Sequence, residues 1–344
     1  MRRLGNTLYI ATQGAYLSKE GECVRVARDG VPPSLIPIHG VDSIVAFGQV
    51  SISPPLLGYC AECGVTISWF TEHGRFLARA EGRVSGNVLL RRAQYRASDN
   101  EKHAASIARD IVIGKVWNQR AVLRRALRDH GATLVVADHG VVAVAADHLG
   151  RVLTGLGRDL DLDRVRGMEG DSARVYFGAF PKLLREPSFT FTERVRRPPT
   201  DPVNALLSFV YALLTHDARS ALEGVGLDPA VGFLHRDRPG RPSLALDLVE
   251  EFRAWFADRL VLTLINRRQL TTGDFTILEG GTVRLTETGR RTVLVAYQER
   301  KREQLQHPFT GERLPVGLLW HEQARLLSAH LRGDLDGYPP FIAR

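Results

Sequence analysis

Three segments of this 344-residue chain place acids and a histidine where they could bind a cation. In Gly167-Met168-Glu169-Gly170-Asp171, Glu169 lies within an otherwise apolar helical pattern of Leu160, Val165, Met168, Tyr176 and Phe177. Glycine inside a helix costs about 1 kcal/mol relative to alanine. Two of them around one carboxylate suggest close backbone approach to something else, although a solvent-facing Glu gives the same pattern. In Gly232-Phe233-Leu234-His235-Arg236, His235 ends an apolar stretch and opens a Gly/Pro/Arg loop. A lone His there is more often structural, but Arg236, Arg238 and Arg241 of that loop suit phosphate oxygens. In Ser243–Arg253, Asp247, Glu250 and Glu251 stand at i, i+3 and i+4 and share one helix face. Leu246, Leu248, Val249 and Phe252 carry that helix into the core, so its acids either pair with Arg or bind a cation.

One His with several carboxylates is a mixed N/O donor set, which suits Mn2+ or Mg2+ better than a thiophilic metal. Such an ion keeps open positions for phosphate oxygens and activates an attacking oxygen. The three cysteines, Cys23, Cys60 and Cys63, imply no disulfide framework. Cys60 and Cys63 have C-x-x-C spacing, but no second pair exists to complete a zinc ribbon. They read as core residues on one face of an amphipathic helix.

The composition points the same way. Lys plus Arg is 46 against 38 acids, a formal net charge of +8, and most of the basic residues are Arg. Planar guanidinium groups match phosphate oxygens, so a polyanionic partner, most often nucleic acid, is favoured. With 44% hydrophobic and 24% charged residues the chain is neither disordered nor of low complexity. Its longest apolar runs fall far short of the roughly 18 residues that span a bilayer. Met1-Arg2-Arg3 is followed by no apolar signal core. No membrane association and a cytoplasmic location are expected.

These candidates need elements to position them. Residues 1–82 read as β-rich, with short strands near 7–12, 15–17, 23–27, 35–38, 43–47, 65–70 and 75–78. One helix interrupts them, with Ser53 as N-cap, Pro54 at its first position and Gly64 past its end. Residues 83–100, punctuated by Gly86, read as a connector. Residues 101–344 read as mostly helical, with helices near 104–129, 141–155, 161–180, 203–222, 243–265, 287–306 and 316–331. A hairpin pairs 275–278 with 282–285. The expected fold is α+β: a small β-rich N-terminal domain followed by a larger, mostly α-helical catalytic domain.

Three motifs together, Gly167-Met168-Glu169-Gly170 with Ala173–Phe177, Gly232–His235, and Gly240–Arg253, resemble the CRISPR-associated adaptation integrase/endonuclease family. The resemblance covers essentially the whole chain. Leu4–Ile10 and Pro308–Gly311 look like the version found with type I-C systems. The resemblance implies an enzyme that inserts short DNA fragments into a CRISPR array as new spacers. A fragment 3′-hydroxyl would attack a repeat phosphodiester. It also implies metal ligands at Glu169, His235 and Glu250 holding Mg2+ or Mn2+, with Asp247 as an auxiliary acid and Glu251 as an ion-pair partner of an arginine. Asn204 and Tyr211 match family positions near the site. Arg236, Arg238, Arg241 and Arg253 are candidates for phosphate neutralisation. Arg91, Arg92, Arg96, Lys115, Arg120, Arg124 and Arg125 are candidate DNA tracks, or simply solvated helix faces. The implied assembly is a homodimer through the β-domains, with two dimers flanking one dimer of a small CRISPR adaptation partner protein. The competing reading is a metal-dependent nuclease of branched or single-stranded DNA in repair, which would use the same site with water as nucleophile.

Overall fold

The computed structural model describes residues 6–72, 76–80, 82, 88–131, 135–157 and 159–343. Leu4, Gly5, Arg75 and Gly86, which entered the sequence reading, lie outside them. The chain divides into two compact units, residues 1–85 and 86–344.

The first unit holds two four-stranded sheets and one helix. Its strands are β1 (Asn6–Ile10), β2 (Tyr16–Glu20), β3 (Cys23–Arg28), β4 (Val31–Pro37), β5 (Val41–Phe47), β6 (Ser51–Ile52), β7 (Thr66–Phe70) and β8 (Phe76–Ala80). One sheet runs β1-β5-β7-β8, with β5 parallel to both β1 and β7; the other runs β4-β3-β2-β6. Helix α1 (Pro54–Glu62) begins where the Ser53 side chain accepts from the Leu56 N–H. Leu17, Val24, Ile44, Leu56, Cys60 and Ile67 form the core. Only one thiol of the C-x-x-C pair is buried there: Cys60 is buried and Cys63 exposed. The helix ends at Glu62, which leaves Cys63 as its exposed C-cap, and Gly64 at φ +71° then turns the chain toward β7.

The second unit contains α2 (Val88–Asp99), α3 (Glu101–His130), α4 (Val136–Leu156), α5 (Leu162–Ala179), α6 (Pro202–Val225), α7 (Ser243–Phe252), α8 (Arg259–Asn266), α9 (Glu287–Arg302) and α10 (Leu319–Arg332). Two hairpins complete it, β9 (Phe275–Ile277) with β10 (Val283–Leu285), and β11 (Gln304–Gln306) with β12 (Arg313–Pro315). Much of the expected connector is therefore helix: α2 occupies 88–99, and buried Gln94 binds the backbone carbonyls of Asp228 and Val231. The expected helix 243–265 is interrupted by a π-helical turn, Arg253–Asp258. The expected helix 287–306 stops at Arg302, where the chain enters β11.

Long α3 packs against α4, α5 and α7 and is the spine of this unit. Below α7, Phe252 stacks on Phe341 at 5.1 Å and meets Trp320 edge-on at 5.9 Å. Phe256 meets Trp320 and Tyr297 edge-on in turn. This aromatic base packs under α7 and the π turn and holds both in place. Among the described residues no helix is long and apolar enough to cross a membrane.

Candidate active site

Asp247 organises the loop that carries His235. Its Oδ2 accepts from the N–H groups of Phe233 (2.6 Å) and Leu234 (3.0 Å). Its Oδ1 accepts from His235 N (2.9 Å) and faces His235 Nδ1 at 2.6 Å. The approach is tight enough that a Cβ at Gly232 would lie 2.7 Å from Asp247 Oδ2, which is why that position is glycine. With Nδ1 so engaged, His235 turns Nε2 toward Glu250, 3.8 Å from Oε1.

Glu250 is 1% exposed. Arg253, one turn on, donates from Nη1 to its Oε1. Lys115 from α3 places Nζ 2.8 Å from its Oε2 and also donates to Glu169 Oε1 on α5. Burial works against the Glu250 charge, but Arg253 and Lys115 outweigh it and hold the carboxyl at about 2. Glu169 and Glu250 thus share one buried ammonium, and His235 faces Glu250 from a third segment of the chain. Among the described residues, no atom from outside the local helix backbone lies within 4 Å of where a Cβ would sit on Gly167 or Gly170. Among these residues, the glycines beside Glu169 leave open space on that face of α5.

Behind Glu250 lies a cavity of about 20 Å³ lined by residues including Lys115, Gln119, Tyr211, Arg253 and Asp258. Tyr211 donates to Asp258 Oδ1 (2.5 Å), and Tyr176 donates to Oδ2 (3.0 Å). Burial nevertheless pushes the Asp258 carboxyl up to about 6. The guanidinium groups of Arg194 and Arg253 lie over the Tyr211 ring, 5.4 and 5.1 Å from its centre. Asn204 is one step removed: its Oδ1 accepts from Arg194 Nη1 and Val195 N, which shapes the loop that delivers Arg194.

Several sequence expectations change here. Glu251 pairs with no arginine among the described residues. It accepts from Tyr338 Oη, Gln323 Nε2 and Phe341 N in a fully buried setting. Burial pushes its carboxyl up to about 8, so it is a neutral acid at pH 7. Asp247 spends both oxygens on the His235 loop and acts by positioning. Lys115 is buried and belongs to the site, not to a DNA track. Two further members of that track are tied to the fold, Arg91 to Gly226 O and Arg120 to Ala146 O, whereas Arg92, Arg96, Arg124 and Arg125 are exposed. In the His235 loop, Arg236 and Arg238 are exposed and Arg241 is half-buried. Arg236 sits 3.2 Å from Asp163.

The donor set fits a hard divalent cation. Glu250 Oε2 is buried, lies in ion-pair contact with Lys115, and receives no hydrogen bond of acceptable geometry. The Asp247–His235 pair has the carboxylate–imidazole form that presents Nε2 to a metal. Among the described residues no three His, Cys, Asp or Glu side chains converge on one coordination point. The Lys115 ammonium stands between Glu169 and Glu250 instead.

A strand-rich unit followed in sequence by a helical unit, with buried acids and a histidine set beside arginines, defines an enzyme of the nuclease class. Residues 8–299 match the family described as CRISPR associated protein Cas1. The chain belongs to the Cas1 family of CRISPR-associated endonucleases. It is 54% identical over 346 residues to a CRISPR-associated endonuclease Cas1 of Chlorobaculum tepidum, with 100% of each chain covered. It is 55% identical over 345 residues to one of Rhodospirillum rubrum, with 99% of each covered. The solved Cas1 protein of Thermotoga maritima superposes with a TM-score of 0.81 at 25% identity, covering 95% of this chain and 97% of that one.

Proposed function

We propose that Glu169, His235 and Glu250 bind Mg2+ or Mn2+ and that this site joins short DNA fragments to a CRISPR array as new spacers. The observation that carries the reading is Asp247 gripping His235 Nδ1 at 2.6 Å while Nε2 faces the Glu250 carboxylate. When bound, the ion supplies charge to stabilise the phosphate in transfer and to activate the attacking 3′-hydroxyl. The chain's own residues do the rest. Asp247 holds the imidazole in the tautomer with Nε2 free. Arg253 keeps Glu250 ionised. Arg236, Arg238 and Arg241 receive backbone phosphates and fix the DNA register.

Residues 1–82 serve as the dimerisation domain and the helical region as the catalytic one. Exposed Val31 and Leu35 on β4, at the edge of its sheet, support an isologous contact there. Two such dimers flank a dimer of a small CRISPR adaptation partner protein in the cytoplasm.

The test is strand transfer. A labelled duplex with 3′-hydroxyl ends is mixed with a supercoiled plasmid carrying a CRISPR repeat, the protein and its small partner. Label should enter the plasmid only with Mg2+ or Mn2+, a free 3′ end, and intact Glu169 and His235. Cutting that ignores a 3′ block would instead favour the repair-nuclease reading.

A further inference from the structure

We propose that Lys115 is an internal stand-in for the divalent ion: its ammonium neutralises Glu169 and Glu250 in the metal-free protein and swings toward Gln119 when a metal takes those carboxylates. The inference rests on the metal reading above. Lys115 is 5% exposed, and its ammonium contacts both acids that the metal would use. Two ionised carboxylates facing each other in a buried site repel strongly and lose their hydration unless a cation lies between them. An ammonium is the right charge for that and sits on a flexible four-carbon stem, so it can leave without moving α3.

It cannot stay once a metal arrives. Both cations compete for the same oxygens, and like charges a few ångströms apart repel at any realistic dielectric. A second seat is already built. Gln119 lies one helical turn along α3, so its side chain neighbours that of Lys115. Its Oε1 is buried and has no hydrogen-bond partner, an acceptor without a donor. Both residues line the same cavity of about 20 Å³, which is room for one water or one ammonium group. Asp258 lines it as well. Metal binding is therefore an exchange of cations, and the protein stays folded without metal.

Mn2+ binding to the full-length protein, followed by titration calorimetry, tests this. Lys115→Met should bind Mn2+ at least about tenfold more tightly than wild type. Without metal it should unfold at a lower temperature, and Mn2+ should raise that temperature more. Gln119→Leu removes the second seat while keeping volume, and should weaken Mn2+ binding several-fold in wild type but not in the Lys115→Met background. A double-mutant cycle reads that difference. Unchanged or weaker Mn2+ binding in Lys115→Met overturns the exchange. So does a Gln119→Leu effect of equal size in both backgrounds, and so does Mn2+ binding left unchanged by Gln119→Leu alone, which decides the matter should Lys115→Met not fold. Failure of wild type to bind Mn2+ at all is a different result: it removes the metal reading, and the exchange with it.

Discussion

Asp247 and His235 are joined twice, through the histidine's backbone N–H at 2.9 Å and its ring Nδ1 at 2.6 Å, both to the same carboxylate oxygen. The second oxygen secures the two preceding N–H groups, so one side chain sets loop path, ring orientation and tautomer together. Losing it strands three backbone donors, each costing about 1–3 kcal/mol when buried and unpaired. Asp247→Ala should lower unfolding free energy by about 3 kcal/mol or more, measured by urea denaturation. Mn2+ affinity should fall roughly 10- to 100-fold, the usual cost of losing a partner behind a metal-bound histidine. A variant of native stability that binds no metal would make Asp247 a direct ligand.

Neighbouring Glu250 and Glu251 should respond oppositely to the same change. Glu250 is ionised between two cations, and Glu250→Gln leaves buried Lys115 and Arg253 short of a counter-charge. Breaking a buried pair in this way costs about 3–5 kcal/mol. Strand transfer should drop to background. Glu251 is already neutral at pH 7, and a Gln amide can keep its contacts to Tyr338, Gln323 and Phe341. Glu251→Gln should stay within about 1 kcal/mol of wild type and retain activity. Glu251→Ala should not, because it opens a cavity and orphans the same donors. Thermal unfolding and strand transfer of the three variants separate these outcomes.

This contrast also marks the limit of sequence reading. The 3.6-residue period located α7 and placed Asp247, Glu250 and Glu251 on it. Spacing alone could not tell which acid faces a cation, which grips a loop and which is buried as a neutral group, because those fates depend on the Phe233–His235 loop, α3 and the C-terminal segment. Lys115 carried a readable signal that was overlooked. It falls on the stripe of Ala108, Ile111 and Val112, where a lysine must have a buried partner. Asp258 and Arg194 gave no such signal, since each acquires its role from a distant tyrosine or asparagine. The π turn at 253–258 was equally illegible, because its apolar spacing passes for ordinary helix.

Asp258 gives a pH dependence with a definite sign. Its carboxyl is raised to about 6 by burial, against the pull of Tyr211, Tyr176, Arg194 and Arg253. A raised carboxyl means the folded state holds a proton that the unfolded chain releases near pH 4. The associated stability is complete below that point and is lost as pH rises through about 6. The amount is on the order of 3 kcal/mol, from about 1.4 kcal/mol per pH unit. Asp258→Asn keeps an acceptor for one tyrosine and a donor for the other and should flatten this slope. Urea unfolding at pH 4, 5, 6 and 7 checks it, and equal slopes in the two proteins would count against a protonated Asp258.

The arginines divide by what already holds them, and salt dependence should reveal the division. Arg238 is exposed, and among the described residues the exposed Arg236 side chain contacts exposed Asp163, so a phosphate can take either without dismantling the fold. Each phosphate neutralised releases about 0.9 counterion from duplex DNA. Arg238→Ala should therefore weaken DNA binding similarly for all sequences and reduce the slope of log K against log salt by about one. Arg120 differs because its Nε already donates to Ala146 O, bridging α3 and α4. Arg120→Ala should cost stability, about 1 kcal/mol, and leave the slope unchanged. Fluorescence anisotropy of a labelled duplex across a salt series, with thermal unfolding alongside, distinguishes them. A slope change in Arg120→Ala equal to that in Arg238→Ala would place the DNA path along α3 and not across the His235 loop.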